Sequence, residues 1–344
     1  MNIVKIKSLV LNVFMLVLLL TQPVFAASGA SLEGGFKLIP ALILIAMIAL
    51  FLAVGFMNKA EGTSDYYAAG RSISAFGSGM AIASNWMSAA SFLGMAAIMY
   101  GSGYHGLSYV VGWTGGYVLL LVLMASQVRR FGKFTATDFI GDRYYSSGMR
   151  VATAIIAICI SISYCVGQFG GIGIMFKWIF GMNYAWSVII GSSVVLIYTL
   201  ISGMLGVTKN QQIQYLILII AFLIPAHILT FKFDYFWILP QFGYGQVVSD
   251  IVAGTATPFI SSLGHTMATV PTPEFAMPWD PATGKDFFQW MAICFSLMIG
   301  TAGLPHVIQK FYVVPKPSDA RWSVTWGLFL SLIHISEPTR PRLV

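Results

Sequence analysis

A chain of 344 residues that is 57% apolar and only 9% charged lacks the surface of a water-soluble protein, whose domains carry about 25% charged residues. Its formal charge of +7 reads as loop charge that orients a membrane bundle, which excludes a nucleic-acid-binding role. Cys159, Cys165 and Cys294 lie within apolar runs without metal-ligand spacing and read as small core residues.

The chain opens with Lys5 and Lys7, a short apolar core from Leu9 to Leu20, and Val24-Phe25-Ala26. Residues 1–26 therefore read as a secretory signal peptide, with an uncleaved first helix as the alternative. Cleavage leaves the mature N-terminus outside. Seven apolar runs follow: Leu38–Met57, Phe76–Tyr100, Leu107–Ala125, Val151–Phe176, Trp186–Leu205, Ile213–Phe231 and Phe287–Val307. Each is long enough to cross the roughly 30 Å hydrocarbon core as a helix. The alternating short segments of a strand barrel are absent.

Alternating sides from an outside start sorts the charge. Lys59, Arg71, Arg129, Arg130, Lys133, Arg143, Arg150, Lys209, Lys310, Lys316 and Arg321 fall in inside loops, against Lys37, Lys177, Lys232 and Lys285 outside. This distribution obeys the positive-inside rule and predicts a multi-pass protein of a bacterial inner membrane. The long outside segment from Lys232 to Asp286 carries Asp234, Asp250, Glu274 and Asp280; it reads either as a cap over an entrance or as a surface excursion. An eighth run begins near Trp322 and stops at Glu337 and Pro338 after about 15 residues, short of the roughly 20 a span needs. Ser331–Arg340 (SLIHISEPTR) resembles the translation of a sequencing-library adapter, so residues 330–344 read as an artefactual tail, with a short amphipathic end as the alternative.

None of the seven runs contains Asp, Glu, Lys or Arg, although intramembrane acids are the usual mark of proton relays. His105, His227 and His306 remain as proton carriers, or as hydrogen-bonded packing residues. An intramembrane aspartyl protease needs acids, and a zinc protease needs its HExxH pair; neither is present, so an enzyme is not expected and no cofactor is implied. A cation can instead be held by backbone carbonyls that an interrupted helix releases, helped by hydroxyls.

Two runs invite such a break. The second packs Gly77, Gly79, Ala83, Ser84, Ser88, Ala89, Ser91 and Gly94 around Asn85; it reads as a close-packed central helix or as a binding segment. The seventh holds Gly300, Gly303 and Pro305. Pro305 donates no hydrogen bond, which is expected to free the carbonyl of Thr301, either as a simple kink or as a ligand. Two interrupted helices five spans apart fit an inverted repeat. Gln168, among Gly167, Gly170, Gly171 and Gly173, suggests close helix contact. Gln211, Gln212 and Gln214 read as the opening cap of the sixth span, and Thr137-Asp138 as the cap of a short loop helix.

The segments SDYYAAGRS (Ser64–Ser72), ASNWMSAASFLG (Ala83–Gly94), FGKFTATDFIGDRYYS (Phe131–Ser146) and GTAGLPHVIQKF (Gly300–Phe311) together resemble the sodium:solute symporter family, most nearly its cation/acetate branch. The likeness runs from about residue 38 to 329. It implies an all-α, leucine-transporter-like bundle of inverted five-helix repeats after one extra helix. It further implies Na⁺ as coupling ion, a small organic anion such as acetate as solute, and the lipid bilayer as surroundings. Carried over by position, the backbone carbonyls of Ser84 and Met87 would hold Na⁺ with Ser88 nearby, the family's other sodium ligands lying on a later helix beyond this chain. Asn85, Trp86, Ser91, Thr301, Ala302 and Gly303 would contact solute. Asn85-Trp86 stands where related sequences carry an acid and its neighbour, so a neutral amide offers the cation less charge. Proline or pantothenate carriers share the class, and a transporter-like sensor feeding a signalling domain is the alternative function.

Overall fold

The computed structural model describes residues 36–95, 98–99, 102–232 and 286–335, with residues 246, 249–250, 252–253, 277–279 and 284 as isolated pieces. The signal-like residues 1–26, most of the long outside segment and residues 336–344 lie outside the described residues.

Helix α1 (Leu38–Met57) leaves Leu38, Ile39, Leu42, Ile43 and Ile45 exposed. Such apolar exposure is costly in water and costless in lipid. A short helix α2 (Thr63–Ala68) follows, then α3 (Ala75–Trp86), capped by Ser74, whose side chain accepts the Gly77 N–H. After a break the chain winds again as a wide π-type turn, Ala90–Met95. Helix α4 (Leu107–Leu119) runs on through a second wide turn, Leu120–Met124, to Phe131. Helix α5 (Ala136–Arg143) is capped by Thr135, which accepts the Asp138 N–H at 3.2 Å. The cap thus stands two residues before the expected Thr137, and Asp138 occupies the favourable first turn.

Helix α6 (Ser147–Phe180) and helix α7 (Tyr184–Lys232) are long. The fifth and sixth predicted spans both lie in α7, separated only at Gly203, whose φ of 58° and ψ of −152° break the winding. Chain contacts show a reversal there. Lys37 N–H bonds Ile179 O, fixing the start of α1 beside the end of α6. Gly55, near the other end of α1, meets Tyr198 and Ser202 before the break. Beyond it, Gly206 approaches Asn58 O and Asn210 Nδ2 donates to Phe51 O at 3.0 Å. The chain descends along α1, turns at Gly203 and climbs back. Gln211 therefore lies well inside a helix that already began at the turn; it does not cap one.

Helix α8 (Phe287–Ala302) is followed by α9 (Pro305–Ile308), which Pro305 opens, and by a tighter turn, Gln309–Tyr312. The two stretches meet at a 47° bend. Helix α10 (Pro317–Ile335) starts before the expected Trp322 and is continuous across position 330.

Close approach of the helices depends on glycine. A Cβ on Gly112 or Gly116 would stand 2.7 Å from Cys294 O and 2.5 Å from Thr301 Cβ, so α4 lies backbone-close to α8. Gly79 of α3 faces Trp326 Cβ, and Gly327 of α10 faces Ile82, a reciprocal small-residue contact. At one end, Phe311, Tyr312, Val313 and Val314 are fully buried with Ala68, Ile73, Val128 and Val324. Arg129 donates to the carbonyls of Val314 at 2.7 Å and Pro315 at 2.6 Å. Lys133 and Arg150 pair with Asp142 at the same end, whereas Lys37 lies over the Trp178 ring at the other. Arg129 and Lys310, expected in open loops, are instead 8% and 2% exposed: the segment after α9 tucks inward and covers both.

Replacing Gly203 by Ala puts a Cβ 2.8 Å from Tyr66 Cδ2 in a backbone region that only glycine enters freely. The expected cost is about 1–3 kcal/mol, measured as a lowered thermal midpoint in detergent, while Gly62→Ala, in open space, leaves it unchanged.

Candidate functional site

Most hydroxyls in these helices are consumed by their own winding. Ser161, Ser163, Ser192, Ser193, Thr199 and Ser202 each donate to the carbonyl four residues back, which satisfies a polar group in an apolar helix without making a site. The stretch from Ser84 to Ser91 is different. Met87, with ψ of 53°, leaves helical geometry. Ser88 N–H turns to Trp86 O at 2.8 Å, Ser91 N–H to Ser88 O at 3.1 Å, and Ala89 N–H leaves its helix for Gln168 Oε1 of α6 at 3.2 Å. In a continuous helix those three donors belong to the carbonyls four residues earlier. The carbonyls of Ser84, Asn85 and Met87 thereby lose their helical partners. Ser91 Oγ donates to Trp86 O at 2.5 Å, so this hydroxyl ties the break together.

The second break does not release the carbonyl that was expected. The missing donor of Pro305 is replaced, because Leu304 N–H reaches Thr301 O at 3.2 Å. The carbonyl of Thr301 is therefore occupied. Pro305 stands at the first position of a new helix, where its lack of an N–H is harmless. The Gly303 carbonyl loses its helical donor, since Val307 N–H bonds Leu304 O at 3.2 Å. Thr301 itself is buried against Gly116, Ala302 is half-buried, and Gly303 is exposed.

Two connectors join the breaks. On α6, the Tyr164 side chain lies beside Ser88 while its ring lies 4.5 Å from that of His306, just past the second break. On α4, Tyr117 meets Trp86 edge-on at 5.1 Å, and its neighbour Gly116 receives Thr301. Trp86 also contacts Trp113 edge-on at 5.6 Å, so it forms an aromatic wall. Below this region Asn85 Oδ1 accepts from Gln211 Nε2 of α7, and Gln211 Oε1 accepts from Lys310 Nζ. Of the sequence-expected residues, Ser84, Asn85, Trp86, Met87, Ser88 and Ser91 thus form one cluster; Thr301, Ala302 and Gly303 reach it through Gly116, Tyr117 and Tyr164.

Tyr164, Gln168, Gln211 and Lys310 were not among the expected site residues. Gln168 and Gln211 carried a visible signal, polarity within an apolar helix. Tyr164 did not, because a tyrosine in a span is ordinary packing. Lys310 was hidden by its position three residues past the predicted end of its run. His227 bonds Leu223 O at 2.7 Å within its own helix, and His105 meets Pro278 O at 3.0 Å.

Comparison with known proteins bears on the family and the fold. A family profile described as the sodium:solute symporter family matches residues 66–336. An uncharacterized symporter of Cupriavidus necator is 28% identical over 88% of this chain. Among solved structures, a Na⁺-coupled sialic acid symporter in a substrate-bound, outward-open state superimposes with a TM-score of 0.65 and 14% identity, covering 89% of this chain. The chain spans 57% of the length of the Cupriavidus relative and 60% of the sialic acid symporter. The latter likeness establishes the leucine-transporter-like fold.

The bond from Ala89 to Gln168 yields a direct check. Gln168→Leu leaves a half-buried N–H without its acceptor, at an expected cost of about 1–3 kcal/mol. Amide hydrogen exchange at Ala89 should accelerate accordingly, while that at Ser163, one turn away on α6, stays unchanged.

Proposed function

The chain belongs to the sodium:solute symporter family, and on that premise we propose that it serves Na⁺-coupled uptake of a short monocarboxylate such as acetate across a bacterial inner membrane, with its mature N-terminus outside. The observation that carries this reading is the release of neighbouring carbonyls at the first break, where Ser88, Ala89 and Ser91 N–H groups bond elsewhere. Carbonyl oxygens concentrated in a small gap replace the hydration shell of a small cation without any carboxylate. The carbonyls of Ser84 and Met87 take Na⁺, and the Ser88 hydroxyl, beside Tyr164, stands next to them.

The solute occupies the adjacent space. Asn85 and Ser91 give it polar contacts, Trp86 an aromatic wall, and the Thr301–Gly303 bend an adaptable backbone edge. Binding of Na⁺ at the first break favours the outward-open arrangement of the two broken helices. Coupling arises because the ion and the solute bind one arrangement better than the other. One Na⁺ entering down a potential of 100 mV supplies about 2.3 kcal/mol, before its concentration gradient is counted. The branch assignment rests on the motif resemblance, from which Asn85-Trp86 departs by standing where related sequences carry an acid and its neighbour.

Uptake of labelled acetate by cells or proteoliposomes carrying the full reading frame tests this. Replacing Na⁺ with choline should abolish accumulation, and Ser88→Ala should raise the Na⁺ concentration for half-maximal uptake by about tenfold, the weight of one hydrogen bond to a charged species. Accumulation indifferent to both changes overturns the coupling.

A further inference from the structure

Lys310 lies in the turn after α9, with 2% of its surface exposed. Its ammonium donates to Thr208 Oγ1 at 3.2 Å, to Gln211 Oε1, and toward Met204 Sδ at 3.7 Å, all on α7. None of the ion pairs among the described residues includes it. A buried cation with only neutral partners is costly and is retained where it has work to do.

Its effect on the neighbouring amides follows from hydrogen-bond polarity. An ammonium has donors and no acceptor. While Lys310 is protonated, Gln211 turns its carbonyl oxygen to it and its NH₂ away, and that NH₂ donates to Asn85 Oδ1. Asn85 has then spent its carbonyl. What it keeps is an NH₂ group with two N–H donors, for which no acceptor stands among the described residues, at the edge of the first helix break. The orientation of both amides is dictated by the lysine at the head of the chain.

We infer that Lys310 is a specificity-determining positioning residue: through Gln211 it locks Asn85 as a hydrogen-bond donor, so that the gap at the first break selects a solute with a carboxylate over its neutral amide. The inference rests on the reading of this gap as the solute site. It also assigns Asn85 away from the cation, because the side-chain oxygen that a Na⁺ would need is already held by Gln211. The charge of Lys310 adds to the preference, since the same dipoles that order the chain carry positive potential toward Asn85.

The test uses the purified full-reading-frame protein in Na⁺ buffer and measures protection from thermal unfolding by acetate, propionate and lactate, each against acetamide, propionamide and lactamide. At least one acid should bind about tenfold or more tightly than its amide, the difference of one hydrogen bond to a charged group. Lys310→Met should collapse that ratio toward one. Gln211→Glu provides the variant that separates specificity from folding: it gives Lys310 an ion-pair partner, yet a carboxylate can only accept, so Asn85 must rotate its NH₂ toward Glu and present its oxygen to the solute. A folded Gln211→Glu protein that has lost the acid preference supports the inference, whether or not Lys310→Met folds. Retention of the preference in either variant, or no acid bound in preference to its amide by the unaltered protein, overturns it. Repeating the unaltered titration in choline separates the two readings, because acid binding indifferent to Na⁺ defeats coupling and leaves the role of Lys310 standing.

Discussion

Inside lipid a backbone N–H that abandons its helical partner has no water to turn to, and each unmet group costs several kcal/mol. A helix can therefore stop in mid-bundle only where other groups take up its donors. In this protein the three diverted donors of the first break are met: Trp86 O receives Ser88, Ser88 O receives Ser91, and Gln168 of α6 receives Ala89. The carbonyls left behind are the groups without helical partners, and an excess of neutral oxygen is what remains. At the second break the balance is tighter, because Leu304 fills the place of the donor that Pro305 lacks. The two breaks are thus unequal, the first offering oxygen and the second mainly a bend of 47°.

The surrounding bundle holds these irregular segments in place by close backbone approach. Gly112 and Gly116 let α4 lie against α8, and Gly79 and Gly327 join α3 to α10. The first half of each broken helix is thereby fixed against its own neighbour, and the connection between breaks passes through Tyr117 and Tyr164. The His306 and Tyr164 rings lie between α9 and Ser88. Lys310 extends the same linkage below, from the turn after α9 through Gln211 to Asn85.

The sequence reading located the membrane character and both breaks, since these follow from composition and from clusters of glycine, proline and small polar residues. It misplaced features set by tertiary packing. Nothing local marks Gly203 as the turn between two spans, because the helix resumes at once and the glycine resembles any other in the run. Thr301 was expected to carry the free carbonyl by counting four residues back from Pro305, whereas the bend brings Leu304 N–H within reach. Lys310 read as a loop charge because it follows its apolar run; the inward tuck of Phe311–Val314 buries it. Gln211 read as a cap for the same reason, since its partners Asn85 and Lys310 are 126 and 99 residues away in sequence.

The central claim is that the first break presents carbonyl oxygens to Na⁺. Its most direct test is an experimental structure of the full-reading-frame protein in lipid, determined once in Na⁺ and once in choline. The account predicts unwound backbone at Met87–Ser88 in both, with a density peak within bonding distance of the Ser84 and Met87 carbonyls in Na⁺ alone. A helix wound without interruption from Ala75 to Met95, or a gap of identical density in the two conditions, would contradict it.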